Sequence, residues 1–340
     1  MHTNQPKPFV IPIFLPHAGC PHQCVFCNQR AITGAHRPFS TEDARAEVER
    51  YLAFPRKSTG QTIISFYGGN FLGIARSRIQ DLLFLAADYV GQGRADGIRF
   101  STRPDTIDAQ SLSLLDSHPV KTVELGVQSM DARVLELSKR GHTTRDTVAA
   151  ARLLREQSYE VGLQMMVGLP GDEGLQSLET AQRIVDLAPD FVRIYPTVVL
   201  EKSPLADLWR AGQYQALTLE RAVDLCNDVS GIFYDAGIPV VRMGLAASES
   251  LDADGAVLAG PYHPAFGHLV MSARFLDKAR ALLRQKGISQ GQVVFRVHPG
   301  SVSAMRGQQN ANMQILESLL GIRPRVREDV CLERDQVALG

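Results

Sequence analysis

At 340 residues, 44% hydrophobic and 21% charged, the chain has room for one large domain or for a main domain with an appendage. Lys plus Arg and Asp plus Glu both number 36, so no global charge marks a polyanion binder or an anionic-membrane protein, and only local patches remain to be considered. The longest apolar runs, such as FVIPIFL at 9–15, are too short to span a bilayer, and an odd set of five cysteines suits a reducing cytoplasm better than a disulfide framework.

In chain order, a short β-branched or aromatic run, a Gly, Pro or Asp break and a longer segment of helical period recur. PFVIPIFL reads as the first strand and 40–53 as the first helix, with Ser40 as its cap and Asp43 as the first-turn carboxylate. TIISFYGG (62–69) is a second strand and 75–90 a second helix. GIRFSTRP (97–104), TVELGVQS (122–129), EVGLQMMVGLPGD (160–172) and DFVRIYPTVVL (190–200) supply four more strands. Helices are expected near 108–117, over 131–157 with a break at Gly141, and over 174–187.

Six alternating strand–helix units predict an α/β fold, a partial (β/α)6 TIM-like barrel with a small α+β C-terminal extension. Chemistry in such barrels sits at the C-terminal strand ends. The unusual residues fall there: three cysteines after strand one, Gly68, Gly69 and Asn70 after strand two, Arg103 after strand three, Gln128 after strand four. After about 240 the rhythm changes to one long helix over 260–287, then strand, helix, a short Gly loop, helix and two strands. The expected division is therefore a core over 1–240 and an extension over 241–340, acting as a lid or as a degenerate KH-like module with Gly307 to Asn310 as its loop. Arg296, Arg306, Arg323, Arg325 and Arg327 are its candidate RNA contacts.

Cys20, Cys24 and Cys27 form C-x3-C-x2-C on the loop after the first strand. Zinc would need a fourth ligand, for which His17 or His22 is available. Three thiolates also leave one iron of a [4Fe–4S] cluster open, where an ordinary cluster site has four cysteines. Cys226 and Cys331 belong to no second pair and read as small hydrophobes.

This spacing, with Phe26 before the last cysteine and FYGGN at 66–70, resembles the radical S-adenosylmethionine (radical SAM) superfamily. The resemblance implies a [4Fe–4S] cluster on Cys20, Cys24 and Cys27 whose open iron chelates S-adenosyl-L-methionine, and an electron transfer that yields a 5′-deoxyadenosyl radical. It further implies that Phe26 offers its backbone to the adenine and that Gly68, Gly69 and Asn70 match a Gly-Gly-Glu stretch receiving the methionine amino group. Arg140 matches a partner of the methionine carboxylate, and Gln128 a cosubstrate contact, in the anaerobic coproporphyrinogen oxidase branch. Gln164 stands where that branch has an Asp for the ribose. An electron donor such as flavodoxin or ferredoxin is implied as well; nothing in the sequence bears on oligomeric state.

STRPDTID (101–108), VELGVQSMDARVLELSKRGHT (123–143) and RIYPTVVLEKSPLADLWRAGQYQALT (193–218) are similar to the radical SAM domain of the Elongator catalytic subunit, over about 60–240. That subunit acts on the wobble uridine of tRNA, so the resemblance implies modification of RNA, tRNA or rRNA. The chain departs from it in a tighter first cysteine spacing and in too few residues after 240 for an acetyltransferase domain. The alternatives are an oxidoreductase on a small molecule, like oxygen-independent coproporphyrinogen oxidase, and a non-catalytic zinc or nucleic-acid binding module.

Overall fold

The computed structural model describes residues 8–15, 18–28, 39–55, 60–245, 249–253 and 255–340. Strands β1 (Phe9–Phe14), β2 (Thr62–Tyr67), β3 (Gly97–Thr102), β4 (Val120–Gln128), β5 (Glu160–Val167) and β6 (Phe191–Pro196) lie side by side in chain order. A short β7 (Val199–Leu200) leaves the row, and β8 (Val240–Met243) joins it beside β6. Every neighbouring pair of this seven-stranded sheet is parallel, as crossover helices require.

The crossovers are helices α1 (Thr41–Leu52), α2 (Arg76–Gly91), α3 (Ala109–Ser113), α4 (Ala132–Leu137), α5 (Thr144–Glu156), α6 (Leu175–Asp186), α7 (Pro204–Arg210) and α8 (Leu219–Asp235). α1 starts with the expected cap: Ser40 Oγ accepts from the Asp43 N–H, and the Asp43 carboxylate accepts from the Ser40 N–H. Thr143 and Asp146 repeat the device at α5, so the expected helix over 131–157 is two helices separated at Ser138–Thr143.

Two faces of the sheet follow from the period-2 alternation of strands. Ile11, Ile13, Ile64, Phe66, Ile98, Phe100, Val123, Leu125, Leu163, Met165 and Ile194 are buried and form the apolar core. The alternate positions, among them Tyr67, Ser101, Glu124, Gly126, Gln164, Arg193 and Tyr195, line a cavity instead. Polar and charged side chains of a parallel sheet gathered on the cavity face mark that side as the working side.

The expected strand over 190–200 is broken in two. β6 stops at Pro196 because the Thr197 N–H and Oγ1 both donate to Val167 O, at 2.9 and 2.8 Å, and β7 turns away to pair antiparallel with β9 (Val257–Ala259). The seventh strand, β8, extends the expected six; at four residues it carries too short an alternation to stand out in sequence.

The chain divides into two compact units, Met1–Leu217 with Val229–Tyr262, and Thr218–Asp228 with His263–Gly340. By this division β8 and β9 continue the first unit to Tyr262, past the boundary expected at 240, while the start of α8 belongs to the second. The second unit contains α9 (Phe266–Lys286), β10 (Gly291–Val297), α10 (Val302–Arg306), α11 (Ala311–Leu320), β11 (Ile322–Glu328) and β12 (Val337–Leu339). Its sheet has β10 in the centre, parallel to β11 and antiparallel to β12. Phe275 and Leu283 of α9 pack with Val293, Phe295, Val297, Met305, Leu316 and Ile322 into a core of its own. Between α10 and α11 the loop at Gly307 to Asn310 turns through Gln309 and Asn310, both at positive φ (53° and 64°), which Asn tolerates better than most residues.

Candidate cluster and cosubstrate site

The cysteine loop is stitched to three elements by its backbone. The Asn70 N–H donates to Ala18 O at 2.8 Å, the Val25 N–H to Ser138 O at 3.1 Å, and the Leu205 N–H of α7 to Val25 O at 2.8 Å. Gly19 sits at φ 72° with its backbone against Asn70 and Gly73; a Cβ there would lie 2.3 Å from Asn70 O, so only glycine fits.

Asn70 is fully buried beneath this loop. Its Nδ2 donates to Gly19 O at 2.9 Å, and its Oδ1 accepts from Thr102 Oγ1 (2.6 Å), Thr106 Oγ1 (3.0 Å) and the Arg103 N–H (3.1 Å). Every polar atom of the carboxamide is used on protein, and Asn70 is absent from the cavity wall. The Asn70 side chain thus clamps the cysteine loop to β3. Its carboxamide can donate and accept at once, which a carboxylate could not do here.

The cavity, about 650 Å³, brings together the other nine predicted residues: Cys20, Cys24, Cys27 and Phe26 from the loop, Gly68 and Gly69 after β2, Gln128 after β4, Gln164 on β5, and Arg140. Arg140 is 7% exposed, and its Nη1 lies 3.5 Å from Cys24 Sγ while Nη2 donates to Gly126 O at 2.7 Å. Its Nε is buried with no protein acceptor. Gly126 makes room for this arrangement, since a Cβ would fall 2.8 Å from Arg140 Nη2. Just beyond, the β4–β5 register shifts and Gln128 takes φ 67°, an uncommon conformation that turns its amide to accept from Gln164 Nε2 at 3.3 Å.

Arg103 is almost wholly buried and held by Asp105 through Nε (2.9 Å) and Nη2 (2.7 Å), while its Nη1 has no partner. Burial pushes the Asp105 carboxyl up, and the two Arg103 bonds and charge outweigh it, leaving it below its ordinary value. Beside them His142 is buried with neither ring nitrogen bonded. Burial first, then Arg140 and Arg103, pull its pKa to about 3, so it is neutral.

Deeper in the lumen the sequence reading had missed an ionic layer. Glu124 on β4 is 3% exposed and meets Arg193 of β6, with Nη2 donating to Oε1 at 3.1 Å and Nε in ionic contact with Oε2 at 2.6 Å, off the N–H direction. Arg99 of β3 approaches the same carboxylate at 3.4 Å. Arg242 of β8 is the register partner of Arg193 and lines the same cavity, donating to Gly244 O at 3.3 Å. The available signal was a charged residue inside each of three otherwise apolar strands, VELG, FVRIY and VVRM.

Among the described residues no group of three His, Cys, Asp or Glu is arranged to hold a single ion. His22 is exposed with its ring against Gly141, and His17 lies outside the described residues. Cys20, Cys24 and Cys27 line one wall of the cavity. Burial raises the Cys20 thiol pKa, with Arg140 the main opposing charge. The unpartnered donors of Arg140 and Arg103 suit a cofactor that carries a carboxylate.

A family model described as Radical SAM superfamily matches residues 14–184, and one described as Radical SAM C-terminal domain matches 189–275. The chain is 25% identical over 305 residues to an uncharacterized protein of Methanocaldococcus jannaschii, covering 85% of this chain and 88% of that one. It is 32% identical over 142 residues to the tRNA uridine(34) acetyltransferase of the same organism, covering 41% of this chain and 26% of that protein. The chain therefore spans about a quarter of that relative. In fold it is similar to the archaeal Elp3 of Methanocaldococcus infernus (TM-score 0.58, 21% identity, 84% of this chain and 64% of that one). It is also similar to coproporphyrinogen III oxidase of Escherichia coli (TM-score 0.50, 17% identity, 68% and 54%). These matches set aside the zinc-module alternative. The chain belongs to the radical SAM superfamily: it is an enzyme whose cofactors are a [4Fe–4S] cluster and S-adenosyl-L-methionine.

Proposed function

We propose that this radical SAM enzyme modifies RNA, with tRNA the first candidate substrate. The supporting observation is the likeness, 32% over 142 residues, to a tRNA uridine(34) acetyltransferase. The cavity residues support the cofactor half of the reading. Cys20, Cys24 and Cys27 would hold the cluster, and Arg140, with Nε free, would take the methionine carboxylate. The Gly68 and Gly69 backbone would accept from the methionine amino group, the Phe26 backbone would meet the adenine, and the Gln128–Gln164 pair would bind the ribose. Bound together, the two cofactors supply one-electron chemistry that yields a hydrogen-abstracting 5′-deoxyadenosyl radical. The protein would position the methionine end at Arg140. An electron donor of the flavodoxin or ferredoxin type would reduce the cluster.

A second reading is a small acidic substrate, favoured by Arg242 on the lumen wall without a carboxylate partner among the described residues. Anaerobically reconstituted protein should form 5′-deoxyadenosine under reduction, and RNA from a deletion strain should lack one modified nucleoside by mass spectrometry. An unchanged nucleoside profile in tRNA and rRNA, with 5′-deoxyadenosine still formed, would move the reading to the small acidic substrate.

A further inference from the structure

The three-stranded sheet of the second unit has two faces of opposite character. Val293, Phe295, Val297 and Ile322 point into the core, with Val326, Val337 and Leu339 packed against them. The alternate positions point out: Gln292, Val294 and Arg296 on β10, and Arg323, Arg325 and Arg327 on β11. Register places Gln292 beside Arg323, Val294 beside Arg325 and Arg296 beside Arg327, so four arginines share one face.

Only one of the four is neutralised. Arg296 Nη1 meets Asp329 Oδ2 at 3.0 Å, whereas Arg323, Arg325 and Arg327 are exposed and have no carboxylate partner among the described residues. Consecutive same-face positions on a strand are roughly 6.6 Å apart, so these three form a line of evenly spaced charges along the sheet edge. The second unit as a whole, Thr218–Asp228 with His263–Gly340, carries twelve Lys and Arg against nine Asp and Glu in a chain whose overall formal charge is zero, so it holds a modest net positive charge. The segment that carries the face also lies beyond both matched family regions, which end at residue 275.

We infer that this face binds the phosphodiester backbone of RNA, with Arg323, Arg325 and Arg327 each neutralising a phosphate. The occupant follows from charge and from what the face lacks. It has no aromatic side chain for base stacking, so it offers phosphate contacts alone, which hold a strand without reading its sequence. The inference deepens the RNA reading above and rests on it for the identity of the polymer. It adds a second contact surface, distinct from the cysteine cavity and built on a different unit. Arg306, on α10, is not part of it.

Charges on an edge strand also prevent edge-to-edge aggregation, and this use has a different signature. Glutamate guards an edge as well as arginine does, but it repels phosphate. The test measures binding of an unmodified tRNA transcript to full-length wild type, to the triple variant R323E/R325E/R327E and to R323K/R325K/R327K, across a salt series. Wild type should bind with an affinity falling steeply with salt. The Glu variant should lose roughly tenfold or more in affinity and about two to three units of the slope of log K against log salt, while the Lys variant keeps most of both. Equal binding by wild type and the Glu variant overturns the face assignment and leaves the RNA reading standing. No binding by wild type overturns both. Retained RNA binding with impaired reduction by a flavodoxin in the Glu variant would give the face to an acidic protein instead. Near-identical 5′-deoxyadenosine formation in the absence of RNA checks that the variants are folded.

Discussion

Arg193 and Arg325 both stand on strands of a parallel pair, at positions that point away from the apolar core, yet the fold treats them differently. Arg193 is 15% exposed and shares the carboxylate of Glu124 with Arg99, so its charge is consumed inside the barrel. Arg325 is exposed and has no carboxylate partner among the described residues. The buried charge is a matter of geometry: its removal leaves its partners stranded in a poor dielectric. The exposed one acts through its field, contributes little to folding, and is screened by salt.

The largest expected effect breaks the barrel side of this comparison at its chemistry. Cys24→Ala should abolish both cluster incorporation and 5′-deoxyadenosine formation, read as iron and sulfide content and by chromatography. Next comes Glu124→Ala, which strands Arg193 and leaves Arg99 only its longer contact to Glu160 at 3.9 Å, and should cost about 3–5 kcal/mol in denaturant unfolding. Asn70→Ala should cost roughly 2–4 kcal/mol, because it leaves Gly19 O, Thr102, Thr106 and the Arg103 N–H without their shared partner. A loss as small as a surface substitution's would refute the clamp.

His142 adds a pH dependence. Unfolded, it takes a proton near 6.5, and folded, only near 3. Between these values the unfolded chain binds more protons, so stability is full above about 6.5 and declines as pH falls, by at most ~1.4 kcal/mol per unit. His142→Gln should flatten that decline in unfolding curves recorded from pH 7 to pH 4. The smallest effect is on the tail: replacing Arg323, Arg325 or Arg327 singly by Gln should move stability by no more than about 0.5 kcal/mol. A larger loss would show that these arginines hold the fold and are not a free surface.

The two regions also differed in how far they were legible. The barrel strands could be read because β-branched runs separated by Gly and Pro repeat with a period, and the cysteine triplet could be read because its spacing is local. Asn70 could be placed at a strand end, but the clamp its side chain makes could not be read, since its four partners come from residues 19, 102, 103 and 106. Glu124, Arg193 and Arg242 were passed over because a charge in a strand has meaning only once the strand's neighbours are known. The tail arginines were recognised as candidates, yet residues 291–340 hold six Arg against five acids, and that near balance hid the face.

By itself the sequence determined what depends on neighbours along the chain: the alternation of strand and helix, the cap at Ser40, and three thiols within eight residues. Only the tertiary structure decided which polar side chains face one another. Register joins Arg193 to Arg242 and Arg296 to Arg327, and the fold carries Cys24 to Arg140, 116 residues away. Charge pairing and cavity lining depend on distance through space, to which chain separation is no guide once parallel strands are joined by crossover helices.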